Sequence, residues 1–112
     1  MPTDFFKLFS TLGLSPTESK TYLAALSLGP NSIQNIAKKA RLSRTATYDA
    51  VELLQQRGLV SSYMSGKKRF FAAEDPERAV SHFRESIKHM EEELNALSRS
   101  VEEIKLMTGG TK

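Results

Sequence analysis

Residues with the chemistry for catalysis or metal binding are few in this chain, and their spacing suits neither task. The two histidines, His82 and His89, are seven residues apart, whereas histidines that share a metal on one helix are usually four apart. The sequence contains no cysteine, which excludes disulfides, thiolate zinc sites and cysteine nucleophiles. The glycines are turn or tail residues rather than a phosphate-binding loop, and residues 91–93 (EEE) are typical of a solvated helix face. We therefore predict a protein that is not an enzyme and has no metal site and no cofactor.

Basic side chains, by contrast, are concentrated in one part of the chain. Residues 31–70 contain eight Lys and Arg residues but only two acids, Asp49 and Glu52. Residues 76–112 contain six basic and seven acidic residues, and the net charge of the whole chain is +3. A focused basic excess favours a polyanionic partner. The alternative is a surface that only keeps the protein in solution.

The length and composition indicate one ordinary globular domain. A chain of 112 residues can form one hydrophobic core but not two, and 39% hydrophobic with 26% charged residues is typical of soluble proteins. No apolar run approaches the roughly 18 residues that span a bilayer. The first residues (1–9, MPTDFFKLF) contain an early acid and lack the basic region of a secretory signal. We expect a cytoplasmic protein with no membrane partner.

Helical spacing and capping residues predict two helices in the first thirty residues. The first covers 5–12, follows a cap at Thr3 or Asp4 and stops at a glycine. The second opens with a capping box and a first-turn proline in residues 15–18 (SPTE) and ends at residues 29–30 (GP). Its inward face is predicted to carry three large side chains, Tyr22, Leu23 and Leu26.

Two further helices are predicted to form a helix-turn-helix. One begins near Ser32 and ends close to Ala40, and the next is capped by Ser43 and runs to about Arg57, with Gly58 as its C-terminal stop. Because only about three residues separate these helices, their arrangement is typical of a helix-turn-helix pair.

The segment after this pair predicts a β-hairpin. Residues 59–63 and 69–72 are β-prone, and residues 64–68 (MSGKK) form a glycine-containing turn. A hairpin that follows a helix-turn-helix is a wing. The predicted fold is therefore mainly α (α+β): a winged helix-turn-helix with a two-stranded wing, followed by a long C-terminal coiled-coil helix.

From Pro76 onward, apolar residues alternate in steps of three and four over four heptads. The a and d positions are Val80, Phe83, Ile87, Met90, Leu94, Leu97, Val101 and Ile104. This pattern predicts a coiled-coil helix of about 30 residues and about 45 Å. We predict that it joins two copies in a homodimer; the alternative is that its first turns pack on the winged helix and the rest is exposed in a monomer. The e and g residues leave parallel and antiparallel pairing open. The domains would be a DNA-binding domain (1–75), a dimerisation helix (76–108) and a tail (109–112).

The second helix of a helix-turn-helix lies in the major groove, and its N-terminal residues reach base edges. The residues predicted to contact DNA from this helix are Ser43, Arg44, Thr45 and Tyr48. Arg44 suits bidentate recognition of guanine, and a phosphate contact is the equal alternative. Tyr48 is either a groove or phosphate contact or a half-buried core aromatic.

Further DNA contacts are predicted on both sides of this helix. Lys38 and Lys39 end the preceding helix, and Lys67, Lys68 and Arg69 form the wing tip. The two lysines of the helix suit phosphate contacts, and the wing-tip residues suit contacts with an adjacent DNA backbone or the minor groove. Each has the alternative of a solvated surface charge.

Five runs of residues carry a resemblance to a known family. They are residues 12–26 (LGLSPTESKTYLAAL), 36–40 (IAKKA), 42–50 (LSRTATYDA), 57–60 (RGLV) and 75–77 (DPE). In this order they resemble the N-terminal winged helix of the TrmB family of transcriptional regulators, over most of residues 8–80. The family is largely archaeal with bacterial members, and many members regulate genes of sugar transport and metabolism. The resemblance implies DNA contact by Ser43, Arg44, Thr45 and Tyr48 and dimer formation through the helix after Pro76.

The sequence departs from the family pattern at three points. Arg41 occupies a position where the family often has glycine, and Thr47 replaces a branched apolar residue. Larger members carry a C-terminal sugar-binding effector domain, for which 112 residues leave no room. Sugar sensing is therefore not expected, the effector is unknown, and the chain is either a compact relative or a fragment.

These observations together predict a homodimeric, sequence-specific regulator of transcription that binds double-stranded DNA and is associated with the nucleoid. Its recognition helix, residues 43–57, would enter the major groove. The alternatives are a winged-helix protein-interaction module and a non-specific nucleoid-associated DNA-binding protein.

Overall fold

The computed structural model describes residues 3–109, which form two compact units that divide after Val80. The elements are α1 (Phe5–Leu12), α2 (Pro16–Leu28), α3 (Ile33–Ala40), α4 (Arg44–Gln56), β1 (Val60–Ser65), β2 (Lys68–Ala73), α5 (Pro76–Arg99) and α6 (Val101–Leu106). The two strands form one antiparallel sheet. The predicted mainly helical fold, with its helix-turn-helix, its wing and its long C-terminal helix, is confirmed.

Side-chain caps begin the first four helices. The caps are Asp4, Ser15, Ser32 and Ser43, whose side-chain oxygens each accept a hydrogen bond from the backbone N–H three residues later. Each bond satisfies one of the N–H groups that a helix start leaves without a partner, and each cap contributes about 1 kcal/mol. The capping signals in the sequence therefore located the helix starts correctly.

Helix α2 is central to the N-terminal unit and contacts α1, α3, α4 and β2. Its fully buried Tyr22 meets the ring of Phe9 edge-on, with 5.7 Å between ring centroids, and donates its hydroxyl hydrogen to the Glu74 carbonyl oxygen at 3.0 Å. Burial raises the pKa of Tyr22, and the carboxylates of Asp75 and Glu74 raise it further. The hydroxyl therefore stays protonated and acts as a donor at neutral pH.

The predicted inward face of α2 was wrong in part. Leu23 and Leu26 are only half-buried. The buried positions besides Tyr22 are Glu18, Ser19, Thr21, Ala24 and Ala25. Because α2 has neighbours on several sides, small and polar side chains line its buried surface, which the periodicity of large apolar residues does not reveal.

An ion pair with a buried carboxylate joins the start of α2 to the end of α4. One carboxylate oxygen of Glu18 accepts the Ser15 N–H at 3.0 Å, and the other accepts the Nε–H of Arg57 at 2.8 Å. Nη2 of Arg57 also donates to the Gly13 carbonyl oxygen at 3.3 Å. Burial would raise the pKa of Glu18, but the hydrogen bonds from Ser15 and the charge of Arg57 outweigh burial and lower it. Glu18 is thus a charged carboxylate that fixes two helix ends together.

The wing is longer and its turn tighter than the sequence predicted. Strands β1 and β2 pair in register as far as Ser65 and Lys68, which leaves a two-residue turn that begins at Gly66. Gly66 has φ +65°, a left-handed conformation that glycine adopts without steric cost. The predicted strands, 59–63 and 69–72, were too short because residues 64–68 were assigned to a glycine-containing turn, yet Met64, Ser65 and Lys68 take part in the ladder.

The C-terminal helix begins at Pro76, as predicted, but Ser100 divides it into α5 and α6. The Ser100 hydroxyl donates to the Ala96 carbonyl oxygen at 2.9 Å, and its N–H is shared between the carbonyl oxygens of Ala96 and Leu97. A serine that bonds back to the previous turn often bends a helix. The heptad pattern could not reveal this interruption, because Ser100 lies outside the a and d positions. Within residues 3–109, no helix is both long and apolar enough to cross a membrane.

Candidate nucleic-acid interface

A three-residue turn, residues 41–43, joins α3 to α4, as the sequence predicted. Arg41 has φ 59° and ψ 45° and is the only non-glycine residue with positive φ in residues 3–109. Its N–H donates to the Lys38 carbonyl oxygen at 3.2 Å, which closes the end of α3. The turn thus keeps the left-handed conformation that glycine adopts easily, and an arginine carries a cost of about 1–2 kcal/mol there.

The first turn of α4 is held by Ser43 and Thr47. The Ser43 hydroxyl accepts the Ala46 N–H at 3.0 Å, and the Ser43 carbonyl oxygen accepts the Thr47 hydroxyl hydrogen at 2.8 Å. Thr47 is fully buried beside the other inward residues of α4, Ala50, Val51 and Leu54. Because its hydroxyl is satisfied locally, threonine fits a face on which a branched apolar residue is more usual, and α4 starts in a fixed orientation.

The residues predicted to read DNA from α4 lie on its outer side. The side chains of Arg44 and Thr45, in the first helical turn, are exposed. Tyr48 is 42% exposed, and its ring meets that of Phe71 on β2 edge-on, with 6.2 Å between centroids. Arg44 and Thr45 are therefore free to meet a base edge or a phosphate, whereas Tyr48 is partly engaged within the protein.

The other predicted contact residues are also exposed. Lys38 and Lys39 occupy the last turn of α3, and Lys67, Lys68 and Arg69 occupy the turn and the start of β2. In the described part of the chain, no carboxylate forms an ion pair with these five side chains or with that of Arg44. Their positive charges are therefore available to a polyanion.

Sequence reasoning missed the residues that attach the wing to the helices. Asn31 exchanges two backbone hydrogen bonds with Phe71, at 2.9 and 2.8 Å, and forms an isolated bridge beside β2. Gln55 on α4 donates its Nε2 hydrogen to the Ser62 hydroxyl on β1 at 3.2 Å. Asn31 and Phe71 are far apart in the chain, whereas Gln55 and Ser62 are only seven residues apart, and neither Asn31 nor Gln55 belongs to a motif. No local signal could have identified these contacts.

Most of the predicted dimerisation residues form an exposed apolar row on α5 and α6. Seven of the eight side chains are 40–69% exposed: Val80, Ile87, Met90, Leu94, Leu97, Val101 and Ile104. Phe83 differs, because only 5% of it is exposed and its ring meets that of His82 with 4.9 Å between centroids. The exposed row is thus nearly continuous beyond Phe83.

The arrangement of acidic side chains and histidines provides no metal centre in the part of the chain that the structure covers. No three of these groups in residues 3–109 are placed to hold an ion together. His89 is exposed on α5, away from the basic residues of the helix-turn-helix in sequence.

Comparisons with known proteins place these features in context. Residues 9–77 match the family described as "Sugar-specific transcriptional regulator TrmB". The HTH-type sugar sensing transcriptional regulator TrmBL1 of Pyrococcus furiosus is 32% identical over 75 residues, which are 67% of this chain and 22% of that protein. The chain thus spans about a fifth of the length of this curated relative.

Solved structures share the fold at lower identity. TrmBL2, described as an archaeal chromatin protein with a novel mode of DNA binding, has a TM-score of 0.77 and 20% identity over 92% of this chain and 41% of that chain. A MarR family transcriptional regulator from Silicibacter pomeroyi has a TM-score of 0.58 and 15% identity over 95% of this chain and 78% of that chain. These likenesses support the winged-helix fold, and the match over residues 9–77 shows that the chain belongs to the TrmB family of sugar-specific transcriptional regulators.

Proposed function

We propose that the protein is a homodimeric, sequence-specific regulator of transcription that binds double-stranded DNA at the nucleoid in the cytoplasm. Each copy would place α4 in the major groove. The observation that carries this proposal is the first turn of α4, where Arg44 and Thr45 are exposed on a helix whose start is fixed by Ser43 and Thr47. A helix presented in this way can bring side chains to base edges.

The basic side chains around α4 support a DNA partner. Lys38 and Lys39 flank the turn, and Lys67, Lys68 and Arg69 form the end of the wing. Phosphate contacts by these residues would release counterions, so the affinity should fall steeply as the salt concentration rises. In this proposal they supply most of the affinity, and Arg44 with Thr45 supplies the preference for a sequence.

The exposed row on α5 and α6 supports a dimer. Seven apolar side chains at heptad positions would meet water in a single copy. Burying a large aliphatic side chain contributes about 1.5–3 kcal/mol to the free energy of association. Pairing of two such rows would therefore stabilise a dimer. The dimer would hold two copies of α4 at a fixed separation, and the bound DNA site should therefore have two related halves.

A second candidate is non-specific coverage of DNA. TrmBL2, which shares the fold, is described as an archaeal chromatin protein. The same basic surface and the same dimer would serve this role, because phosphate contacts carry no sequence information. The two candidates differ in what Arg44 does.

Substitution of Arg44 separates these candidates. The test uses a duplex that the unaltered protein selects from a random-sequence pool. Arg44→Ala should weaken binding to this duplex about 5- to 100-fold, the usual effect of losing one bidentate base contact. Binding to a random duplex should weaken far less. The matched control is Arg99→Ala, which removes an exposed arginine near the end of α5 and should change neither affinity much. Fluorescence anisotropy at several salt concentrations measures both affinities.

Equal losses on both duplexes would show that Arg44 contacts only phosphate and would favour the chromatin role. No binding of the unaltered protein to any duplex at physiological salt would reject both candidates. The protein-interaction module would then be the better account.

A further inference from the structure

Three contacts described above meet at one cross-strand pair of the wing. Ser62 and Phe71 lie directly opposite each other in the antiparallel ladder. Gln55 of α4 bonds to Ser62, and the ring of Tyr48, seven residues earlier on the same face of α4, contacts that of Phe71. Asn31 holds the backbone of Phe71 through two hydrogen bonds.

The end of the wing extends beyond this attachment. From Phe71 to Lys68, where the ladder ends, three residues span about 10 Å at about 3.3 Å each. Side chains alternate between the two faces of a strand, so Arg69 shares the face of Phe71 that looks toward α4. A small rotation of the two strands at the Ser62–Phe71 pair would therefore displace the Arg69 side chain by more than it displaces Phe71.

We propose that Tyr48 is a positioning residue for the wing, and that its ring, through Phe71, holds Arg69 where it can bind the same duplex as α4. This inference rests on the proposed DNA-binding function and goes beyond it, because it assigns Tyr48 an action through Phe71 and not through its hydroxyl. Phe71 is almost fully buried, whereas Tyr48 is nearly half exposed. The ring thus closes the outer side of the wing attachment and can be replaced without opening the core.

A double-mutant cycle on the full chain tests the proposal. Tyr48→Ala should weaken duplex binding about five- to tenfold, and Tyr48→Phe, which keeps the ring, should restore affinity to within about twofold of the unaltered protein. In the Tyr48→Ala background, Arg69→Ala should cause little further loss, because a misplaced side chain contributes little. Lys39→Ala on α3 is the matched control, and its effect should be the same with either residue at position 48.

Two results would overturn the proposal. If Tyr48→Phe loses as much affinity as Tyr48→Ala, the hydroxyl itself contacts DNA. If the losses from Tyr48→Ala and Arg69→Ala multiply as independent effects, the ring does not position the wing.

Hydrogen exchange tests the same contact without DNA. The amides of Asn31 and Phe71, which bond to each other's carbonyl oxygens, should exchange faster in Tyr48→Ala than in Tyr48→Phe or the unaltered protein. Equal protection in all three would reject the positioning role. Failure of the unaltered protein to bind any duplex would reject the proposed function and the contact of Arg69 with DNA, and the exchange experiment would still decide whether the ring of Tyr48 holds the wing.

Discussion

The two units of the chain differ in how far they bury their apolar side chains. The N-terminal unit buries Tyr22, Ile36, Leu54 and Leu59 completely and gives its buried Glu18 a charged partner. The helix beyond Val80 leaves a row of apolar residues exposed. The N-terminal unit thus has a core of its own, although α1 also exposes Phe5 and Leu8, whereas the row beyond Val80 lies on a helix with few buried side chains.

This difference has a thermodynamic consequence. Substitutions within the N-terminal unit should change the free energy of unfolding by the same amount at every protein concentration. Substitutions in the exposed row should instead change association, so their effect should depend on concentration.

Leu94→Glu should disrupt the dimer most strongly. Leu94 lies in the middle of the exposed row, and each copy would bring a charge into the interface. The dissociation constant should rise more than about 100-fold, which analytical ultracentrifugation measures directly. Asn95→Glu places the same charge on the neighbouring exposed residue, outside the a and d positions, and should leave the dimer intact. A dimer of unchanged affinity in Leu94→Glu would show that the interface lies elsewhere.

Arg57→Met should destabilise the N-terminal unit. The carboxylate of Glu18 would stay buried without the guanidinium 2.8 Å away, and the free energy of unfolding should fall by about 2–3 kcal/mol. Arg78→Met is the control, because Arg78 lies 3.8 Å from Glu74 and is well exposed; its effect should stay within about 0.5 kcal/mol. Urea unfolding at two protein concentrations measures the free energy of unfolding of both variants. Losses of equal size would show that the Glu18–Arg57 pair contributes no more than an exposed ion pair.

The stability that Glu18 provides should disappear in acid. Its pKa is lowered in the folded protein by hydrogen bonds from Ser15 and by Arg57, against the opposing effect of burial. This contribution is therefore present above the unfolded-state pKa of about 4.3 and is lost as the pH falls through the lower folded-state value. The difference in unfolding free energy between the unaltered protein and Glu18→Gln should narrow as the pH falls below about 4.3. A constant difference would show that the carboxylate charge contributes nothing.

Arg41→Gly should stabilise the N-terminal unit slightly. Glycine removes the steric strain of the left-handed backbone at φ 59°, which adds about 1–2 kcal/mol to the free energy of unfolding. The greater freedom of glycine in the unfolded chain offsets about half of this gain. The expected net gain is about 0.5–1 kcal/mol. Arg41→Ala keeps the β-carbon and should show no gain. If alanine stabilises as much as glycine, the backbone conformation at this residue is not the cause.

Local signals predicted most elements of the fold. The caps at Ser15 and Ser43 and the glycine after α4 act within a few residues, so a single sequence reveals them. The division of the last helix at Ser100 was missed because the heptad pattern passes through it. The buried face of α2 was missed because it depends on which elements surround that helix.

The candidate site could be predicted only as a set of basic and outward-facing residues. Arg44 and Thr45 follow from their position after the cap at Ser43. The attachment of the wing through Asn31 and Phe71 depends on pairing between distant segments, and the shorter-range bond from Gln55 to Ser62 belongs to no motif, so neither leaves a spacing pattern in the sequence. Position along one helix is thus readable from sequence, whereas the relation between two elements required the structure.

In the proposed function, two copies of α4 read one DNA site. The most direct measurement is selection of duplexes from a random-sequence pool by the purified protein at several salt concentrations, followed by sequencing of the retained DNA. We expect enrichment of a site with two-fold symmetry and retention that falls steeply as the salt concentration rises. Salt-sensitive retention without any enriched sequence, or enrichment of a single asymmetric half, would contradict it.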